Sequence, residues 1–204
     1  MNIEFSEAPI SSVAELERVP ISFTVDRVCD ALPAPNGGGG FVLSERPVEA
    51  PYVKNYDAID GEGPTQWADR FDISNWGFIR AQSKAVLIGG AVVAFNTADV
   101  VMLEGRRDLA VLWDIRVAPG LRGRGVGSGL VRAAEAWTVS KGCRQFKVET
   151  QNTNVPACRF YERRGFVLKT VDRLAYPRLR GEIQLLWCKD LAVEALRATD
   201  SEAG

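Results

Sequence analysis

Apolar and polar residues alternate along several short stretches of the chain, which is the pattern of strands that bury one face. The stretches at 78–81 and 85–95 are joined by Gln82-Ser83-Lys84 and predict an antiparallel hairpin. The last two stretches predict a second antiparallel pair near the C-terminus. The predicted strands are residues 21–28, 41–48, 78–81, 85–95, 109–117, 144–150, 166–175 and 182–189.

Two further segments have the spacing of helices. The first, residues 128–141, ends at a basic residue followed by glycine, which is a common helix terminus. The second begins after Asn154, a favourable N-cap, and Gly165 closes it. Because strand 109–117, the first helix and strand 144–150 follow one another, they predict a right-handed crossover and a parallel strand pair. The apolar stripe of the first helix comprises Val126, Leu130, Ala134 and Trp137.

A glycine-rich loop lies between strand 109–117 and the first helix. It contains the pattern R-x-x-G-x-G from Arg122 to Gly127, and glycine lets the backbone approach a ligand closely. The N–H groups of the following helix start form an anion site, so the loop predicts binding of a phosphate or diphosphate. A Walker loop is excluded because no lysine follows the glycines, and the dinucleotide fingerprint G-x-G-x-x-G fits neither register. The structural alternative is a tight turn with surface arginines.

Composition narrows the class of protein. The chain has 204 residues, 46% hydrophobic and 25% charged, with a formal net charge of −1. Nucleic-acid-binding domains are usually strongly basic, so no nucleic-acid partner is expected. No apolar run reaches the length of a membrane span and the N-terminus lacks a signal-peptide pattern, so we expect a cytoplasmic protein without a membrane partner. Residues 53–190 are expected to form the main domain, with 1–52 as an N-terminal extension of it and 191–204 as a tail.

The sequence contains no histidine, which removes histidine-based triads and metal sites that need imidazole, so no metal is expected. Without a histidine to activate them, the cysteines are expected to be buried structural thiols. A cluster of acids between residues 57 and 72 allows two interpretations: a solvated loop with a short helix, or an acidic rim that attracts a cationic substrate. The cysteines are Cys29, Cys143, Cys158 and Cys188, and the acids are Asp57, Asp60, Glu62, Asp69 and Asp72.

Residues 109–166 combine a strand, the R-x-x-G-x-G loop, a helix, a strand and the motif N-x-x-A-x-x-x-Y entering a second helix. This combination resembles the GNAT superfamily of acetyl-CoA-dependent N-acetyltransferases. The resemblance implies a mixed α/β fold with a mostly antiparallel sheet, helices on both faces, and a splayed parallel pair formed by 109–117 and 144–150. It also implies acetyl-CoA as the co-substrate, with its pantetheine arm between the splayed strands.

The same resemblance assigns residues to the co-substrate. Backbone groups of Ile115 and Val117 would hold the pantetheine arm, Asn154 would contact it, and Tyr161 would face the thioester sulfur and protonate it as it leaves. For Asn154 a helix cap alone, and for Tyr161 a core aromatic ring, are the structural alternatives. The backbone N–H groups expected at the diphosphate are those of Arg122, Gly123, Arg124, Gly125, Val126, Gly127 and Ser128.

Several motifs are closer to one branch of this superfamily. They are Leu112-Trp113-Asp114-Ile115-Arg116-Val117, the segment from Phe71 to Gly77, and Glu149-Thr150-Gln151 together with Asn154-Val155-Pro156-Ala157-Cys158 and Tyr161. They are similar to the streptothricin acetyltransferases, and the similarity implies acetylation of an amine on the β-lysine moiety of that antibiotic, hence resistance. Alternatives are another acceptor amine, in an aminoglycoside, a polyamine or a protein N-terminus, and a non-catalytic acyl-CoA-binding regulator. Many relatives of this kind form dimers, so the resemblance is compatible with a homodimer.

The expected substrate, a small cationic amine, must lose a proton before it can react. An alkylamine like that of lysine has a pKa of about 10.4, so only about one molecule in a thousand is uncharged at neutral pH. A carboxylate must therefore accept a proton, directly or through water. Asp114 and Glu149 lie on the two strands that flank the expected cleft, and we predict them as catalytic residues beside Tyr161. Asp114 shares a strand face with Arg116, so an ion pair is its structural alternative.

Overall fold

The computed structural model describes residues 1–35, 40–59, 63–177, 179 and 181–192. None of the helices within these ranges is long and apolar enough to cross a membrane. Short 3₁₀ helices occupy Ile10–Arg18, Tyr56–Ala58, Val101–Leu103 and Pro119–Leu121. In chain order the strands are β1 (Glu4–Ala8), β2 (Phe23–Pro33), β3 (Phe41–Lys54), β4 (Gly77–Ser83), β5 (Val86–Ala94), β6 (Leu109–Val117), β7 (Gln145–Gln151), β8 (Val167–Asp172) and β9 (Gln184–Asp190), and the α-helices are α1 (Trp67–Arg70), α2 (Val126–Ser140) and α3 (Val155–Glu162).

The residues group into two units that alternate along the chain. The first unit comprises Met1–Ile21, Ile59–Phe146 and Asp190–Gly204, and the second comprises Ser22–Ala58 and Lys147–Lys189. Most of the predicted tail, residues 193–204, lies outside the described residues. The domain boundaries expected after residues 52 and 190 stay a prediction.

The first unit is built on antiparallel strands, in which β1, β4, β5 and β6 are neighbours in that order. Alternate side chains of a strand point to opposite faces, so the two sides of β4 meet different partners. Phe78 packs into a core with the indoles of Trp67 and Trp76, whereas Ile79 borders a cleft beside Trp137 of α2. The sheet therefore buries apolar side chains on both faces.

Helix α2 approaches this sheet closely because a small residue faces an aromatic ring. A Cβ at Gly129 would lie 2.1 Å from Cζ of Phe5 on β1, so any larger residue there would have to displace the Phe5 ring. The helix ends at Ser140, close to the predicted end at residues 141–142. The predicted apolar stripe of this helix, Val126, Leu130, Ala134 and Trp137, is buried.

Two features of the first unit differ from the sequence predictions. β1 pairs with β4 from Glu4 opposite Gln82 to Ala8 opposite Phe78, whereas no strand was predicted before residue 21. Only the last residue of β1 is buried, so its alternation is too weak to recognise. The hairpin turn falls at Lys84-Ala85, with φ of 50° and 60°, rather than at Gln82-Ser83-Lys84. This prediction was wrong because a left-handed backbone at two residues other than glycine leaves no sequence signal.

The second unit contains the β2–β3 pair, most of β7, strands β8 and β9, and helix α3. Strands β2 and β3 are antiparallel from Phe23 opposite Lys54 to Pro33 opposite Phe41, so both extend beyond their predicted ends. Strands β8 and β9 are antiparallel, as predicted, and β9 lies between β7 and β8. The carbonyl of Asn152, just after β7, accepts the Cys29 N–H of β2 at 2.9 Å. This bond ties the β2–β3 pair to the segment between β7 and α3.

Candidate active site

The glycine-rich loop joins β6 to α2 in the first unit. Gly123 and Gly125 have φ of 75° and 86°, a backbone conformation that residues with a side chain rarely adopt. A Cβ built at either glycine would meet nothing within 4 Å. The backbone of this loop therefore borders open space, and glycine is required here by conformation rather than by crowding.

Helix α2 begins directly after this loop. Its N-cap is Gly125, which has no side chain and so cannot accept the first helical N–H groups as serine or asparagine would. The N-terminus of a helix carries a partial positive charge and presents N–H groups outward. A glycine-capped helix start beside open space is chemically suited to a diphosphate.

The loop arginines make contacts of their own. Arg122 Nε donates to the Val117 carbonyl at 3.0 Å and its Nη2 donates to the Pro20 carbonyl at 2.9 Å. Burial lowers the pKa of the Arg122 guanidinium. The backbone N–H groups of Arg122 and Arg124 donate to carbonyls of the preceding turn at 3.4 and 3.3 Å. The side-chain contacts of Arg122 hold the loop against the end of β6. Because the backbone N–H groups of Arg122 and Arg124 already donate to carbonyls, the start of α2 is the better place for an anion.

Asp114 and Arg116 form an ion pair on β6. Arg116 Nε donates to Asp114 Oδ1 and Nη2 donates to Oδ2, both at 3.0 Å. The side chains of Arg116 and Asp114 are only 2% and 7% exposed. The pairing expected as the structural alternative is therefore present. A carboxylate held at both oxygens by a guanidinium is a weak proton acceptor, and the catalytic role of Asp114 stays a prediction.

The two predicted pantetheine contacts of β6 are half-buried backbone positions. Ile115 lies opposite Ala91 of β5, and Val117 lies opposite Gly89. A Cβ at Gly89 would come within 2.6 Å of the carbonyl oxygen of Arg116, so the β5 backbone lies tightly against β6 there. This fixes the position of the strand, while contact of its backbone groups with pantetheine stays a prediction.

Helix α3 of the second unit begins as the sequence predicts. Asn154 is its N-cap, and the Asn154 Oδ1 accepts the Ala157 N–H at 3.2 Å. Tyr161 is 3% exposed, and its ring packs edge-on against Phe160 and Phe166 at centroid distances of 5.1 and 5.4 Å. The cap is confirmed and the Tyr161 ring is part of a core. The predicted roles of Asn154 toward pantetheine and of the Tyr161 hydroxyl toward sulfur stay predictions.

Glu149 of β7 lies in a polar network of the second unit. Its Oε1 accepts hydrogen bonds from the Tyr176 hydroxyl and from Gln151 Nε2, the latter at 3.2 Å. Its Oε2 accepts from Gln184 Nε2 at 2.7 Å. Burial, followed by the charge of Glu149, raises the pKa of Tyr176, so this phenol stays protonated and acts as a donor. Both oxygens of the carboxylate are thus held by neutral donors.

A second layer of the network contains another carboxylate. The Tyr56 hydroxyl donates to Gln151 Oε1, and burial, followed by the charge of Glu182, raises the pKa of Tyr56. Glu182 pairs with Lys54, whose ammonium lies 5.4 Å from the centroid of the Tyr56 ring. Glu182 Oε2 is buried and has no hydrogen-bond partner in the described part of the chain. Two carboxylates therefore lie near one cation and two phenols.

Sequence reasoning missed most of this network. Gln151 lies in the segment Glu149-Thr150-Gln151, and the strand period places it on the face of Glu149, so it was recognisable in principle. The other members belong to a 3₁₀ helix, a loop and a distant strand, where no motif marks them. The residues missed are Tyr56, Gln151, Tyr176 and Gln184.

The acidic segment is only partly described. Asp57, Asp69 and Asp72 are exposed, and Asp72 accepts the Ser74 N–H at 3.0 Å. Asp60 and Glu62 lie outside the described residues. The exposed acids fit the interpretation as a solvated loop, and the acidic rim stays a prediction.

The four cysteines are buried free thiols, as predicted. Hydrogen bonding to Cys158, together with burial, raises the pKa of Cys29. Burial raises the pKa of Cys143 to about 11. Across the described ranges, no group of three or more cysteine or carboxylate side chains is arranged to hold a metal ion.

Comparison with known proteins links the chain to acetyltransferases. The profile of the Acetyltransferase (GNAT) family matches residues 49–166. A streptothricin acetyltransferase from Streptomyces lavendulae is 29% identical over 179 residues, which cover 88% of this chain and 89% of that protein. A streptothricin acetyltransferase from Escherichia coli is 36% identical over 151 residues, which cover 72% of this chain and 75% of that protein.

A solved structure shares the fold. It is a provisionally assigned streptothricin acetyltransferase from Bacillus anthracis str. Ames, crystallised in complex with acetyl coenzyme A. It matches with a TM-score of 0.75 and 23% identity, covering 93% of this chain and 100% of that chain. The predicted mixed α/β fold is confirmed by this likeness and by the family match. The splayed arrangement of 109–117 and 144–150 stays a prediction.

Proposed function

Because this chain belongs to the acetyltransferase (GNAT) family, we propose that it acetylates an amine on the β-lysine moiety of streptothricin and so confers resistance to that antibiotic. The family membership makes the chain an acetyl-CoA-dependent N-acetyltransferase. The choice of acceptor is carried by one observation, the 36% identity with the Escherichia coli streptothricin acetyltransferase over most of both chains.

In this proposal the diphosphate of the co-substrate binds at the start of α2. Gly123 and Gly125 support this role, because their left-handed backbone borders open space and leads into the N-terminus of a helix that has no side-chain cap. Backbone groups of Ile115 and Val117 hold the pantetheine arm and Asn154 contacts it, as the family pattern implies. Acetyl-CoA supplies the acetyl group as a thioester.

Tyr161 is proposed to protonate the departing sulfur. A thiol with a pKa near 8.5 and a tyrosine near 10 are close enough for this transfer to be nearly balanced. The acceptor nitrogen forms its bond to the acetyl carbon directly, the carbon–sulfur bond breaks, the nitrogen loses one proton and the sulfur gains one. All four cysteines are buried, which fits a route without an acyl-cysteine.

Glu149 is proposed as the carboxylate that receives the amine. Three of its partners, Tyr176, Gln151 and Gln184, are neutral donors, whereas Asp114 is engaged by the guanidinium of Arg116. An anionic site attracts a cationic amine but also raises the amine's pKa. We therefore propose that Glu149 mainly binds and orients the amine and that the proton leaves through water. Asp114 remains the second candidate for this role.

The experiment is an assay of thiol release from acetyl-CoA with and without streptothricin. Release that depends on streptothricin, with a product heavier by one acetyl group, supports the proposal. Parallel reactions with an aminoglycoside, a polyamine and a peptide bearing a free N-terminus test the other acceptors. Release with one of these but not with streptothricin contradicts the acceptor and keeps the enzyme class. Coenzyme binding without turnover on any amine would indicate a regulator instead. A homodimer and a cytoplasmic location stay predictions.

A further inference from the structure

We infer that Tyr176 and Gln184 are positioning residues that hold the Glu149 carboxylate in one orientation and in its ionised form, ready to bind a cationic amine. This inference rests on the proposed function of Glu149 and names the groups through which that function is maintained. Neither residue belongs to a motif that identified the family.

The geometry fixes the carboxylate from two directions. The Tyr176 hydroxyl, in the loop after β8, donates to Oε1, and Gln184 Nε2, at the start of β9, donates to Oε2 at 2.7 Å. Gln151 Nε2 bridges the arrangement, because it donates to Glu149 Oε1 at 3.2 Å and to the Tyr176 oxygen at 2.8 Å. With a donor on each oxygen, rotation of the carboxylate would break at least one hydrogen bond.

The donors also favour the ionised form. Hydrogen bonds to a carboxylate stabilise its charged state, and those to an ionised partner are stronger than neutral ones. Tyr176 is held protonated by burial and by the adjacent negative charge, which raise its pKa. These donors are neutral, so they stabilise the carboxylate without contributing a positive charge.

Other charged groups explain why such support is needed. Within the described residues of the second unit, the charged or titratable neighbours of the network include the phenols of Tyr52, Tyr56 and Tyr176, the pair of Glu182 with Lys54, and Lys147 on the same face of β7. Besides burial, the negative charges of Glu182 and Glu149 raise the pKa of the Tyr56 hydroxyl. A like charge nearby disfavours ionisation of a carboxylate, and Glu182 is itself paired with Lys54, so the donors add to the stability of the charged form of Glu149.

The direct test is a titration of the glutamate side-chain carboxyl carbons by NMR in the free protein. The Glu149 signal is assigned by its loss in Glu149→Gln. The variants are Tyr176→Phe and Gln184→Met. The matched control is Tyr52→Phe, because Tyr52 is a half-exposed tyrosine of β3 that lies near Glu182 and Tyr56 but is not one of the three donors to Glu149 described above. Removal of either donor should raise the midpoint of the Glu149 titration by about one pH unit, while the control leaves it unchanged.

The kinetic test uses kcat/KM for streptothricin from pH 5 to 9. In this profile kcat/KM falls at low pH as Glu149 becomes protonated, and loss of a donor should shift this fall to higher pH by about one unit. On the acid side of the shifted fall, kcat/KM of Tyr176→Phe should then be about tenfold below that of the wild type, and at higher pH the two should be equal. A merely structural defect would lower activity at every pH. Thermal unfolding of each variant identifies any that fails to fold.

Different results would contradict the proposed function and the positioning role of Tyr176 and Gln184. If the wild-type protein does not acetylate streptothricin, the proposed function fails while the NMR titration still decides the role of Tyr176 and Gln184. If the wild type is active but both variants keep the wild-type midpoint and pH profile, the positioning role is overturned. An equally shifted midpoint in Tyr52→Phe would also overturn it, because the shift would then not depend on the loss of a donor to Glu149.

Discussion

Replacement of Gly125 by alanine should separate coenzyme binding from folding. Gly125 has φ of 86° at the N-cap of α2, and an added Cβ would meet nothing within 4 Å. Gly142, after the other end of the same helix, has φ of 80° and is equally uncrowded. Alanine at either position suffers the same left-handed strain, so Gly142→Ala is a matched control.

The expected sizes follow from these two environments. A left-handed alanine costs about 1 kcal/mol, which lowers the Tm of a chain of this size by about 2–4 °C in both variants. In Gly125→Ala alone, the methyl group projects into the space proposed for the diphosphate. Loss of one hydrogen bond to a charged oxygen costs about 1.5–3 kcal/mol, so the Kd for coenzyme A should rise at least about tenfold.

The assay is calorimetric titration of coenzyme A into both variants, with Tm recorded in parallel. We expect similar Tm changes, a weakened coenzyme in Gly125→Ala, and wild-type affinity in Gly142→Ala. Equal coenzyme affinity in the two variants would refute the reasoning, because the loop would then be only a tight turn between β6 and α2. A much larger loss of stability in Gly125→Ala would show that its surroundings are not open.

Three further outcomes are expected. Tyr161→Phe should keep coenzyme affinity and the ring contacts with Phe160 and Phe166, but lose turnover; a loss of binding measured by calorimetry would contradict its role as a proton donor. Asp114→Asn should destabilise the protein by about 3 kcal/mol in urea unfolding, because Arg116 is 2% exposed and would lose its charged partner; an unchanged midpoint argues against that pair. Cys143, with its pKa raised to about 11, should resist alkylation at pH 8 in the native protein and react once unfolded, as peptide mass mapping can show.

Local patterns predicted much of the fold. The strand at Leu109–Val117 agrees with its predicted ends, and α2 begins within two residues of the predicted start. The strand has strong alternation of apolar and polar residues and the helix has a clear apolar stripe. Glycine and proline residues next to them mark where they end. β1 and the Lys84-Ala85 turn were missed or misplaced because their conformations depend on pairing with β4 rather than on their own residues.

The candidate site divides in the same way. The sequence by itself predicted the glycine loop and the Asn154 cap, because the spacing of their residues carries local meaning. The resemblance of its motifs to a known family made Tyr161 and Glu149 candidates. Only the tertiary structure decided what surrounds them. It paired Asp114 with Arg116, turned the Arg122 side chain toward backbone carbonyls, and gathered donors around Glu149 from Gln184 and the loop that holds Tyr176. Strand pairing brings such partners together although they are far apart in the sequence, so local residue spacing cannot predict these contacts.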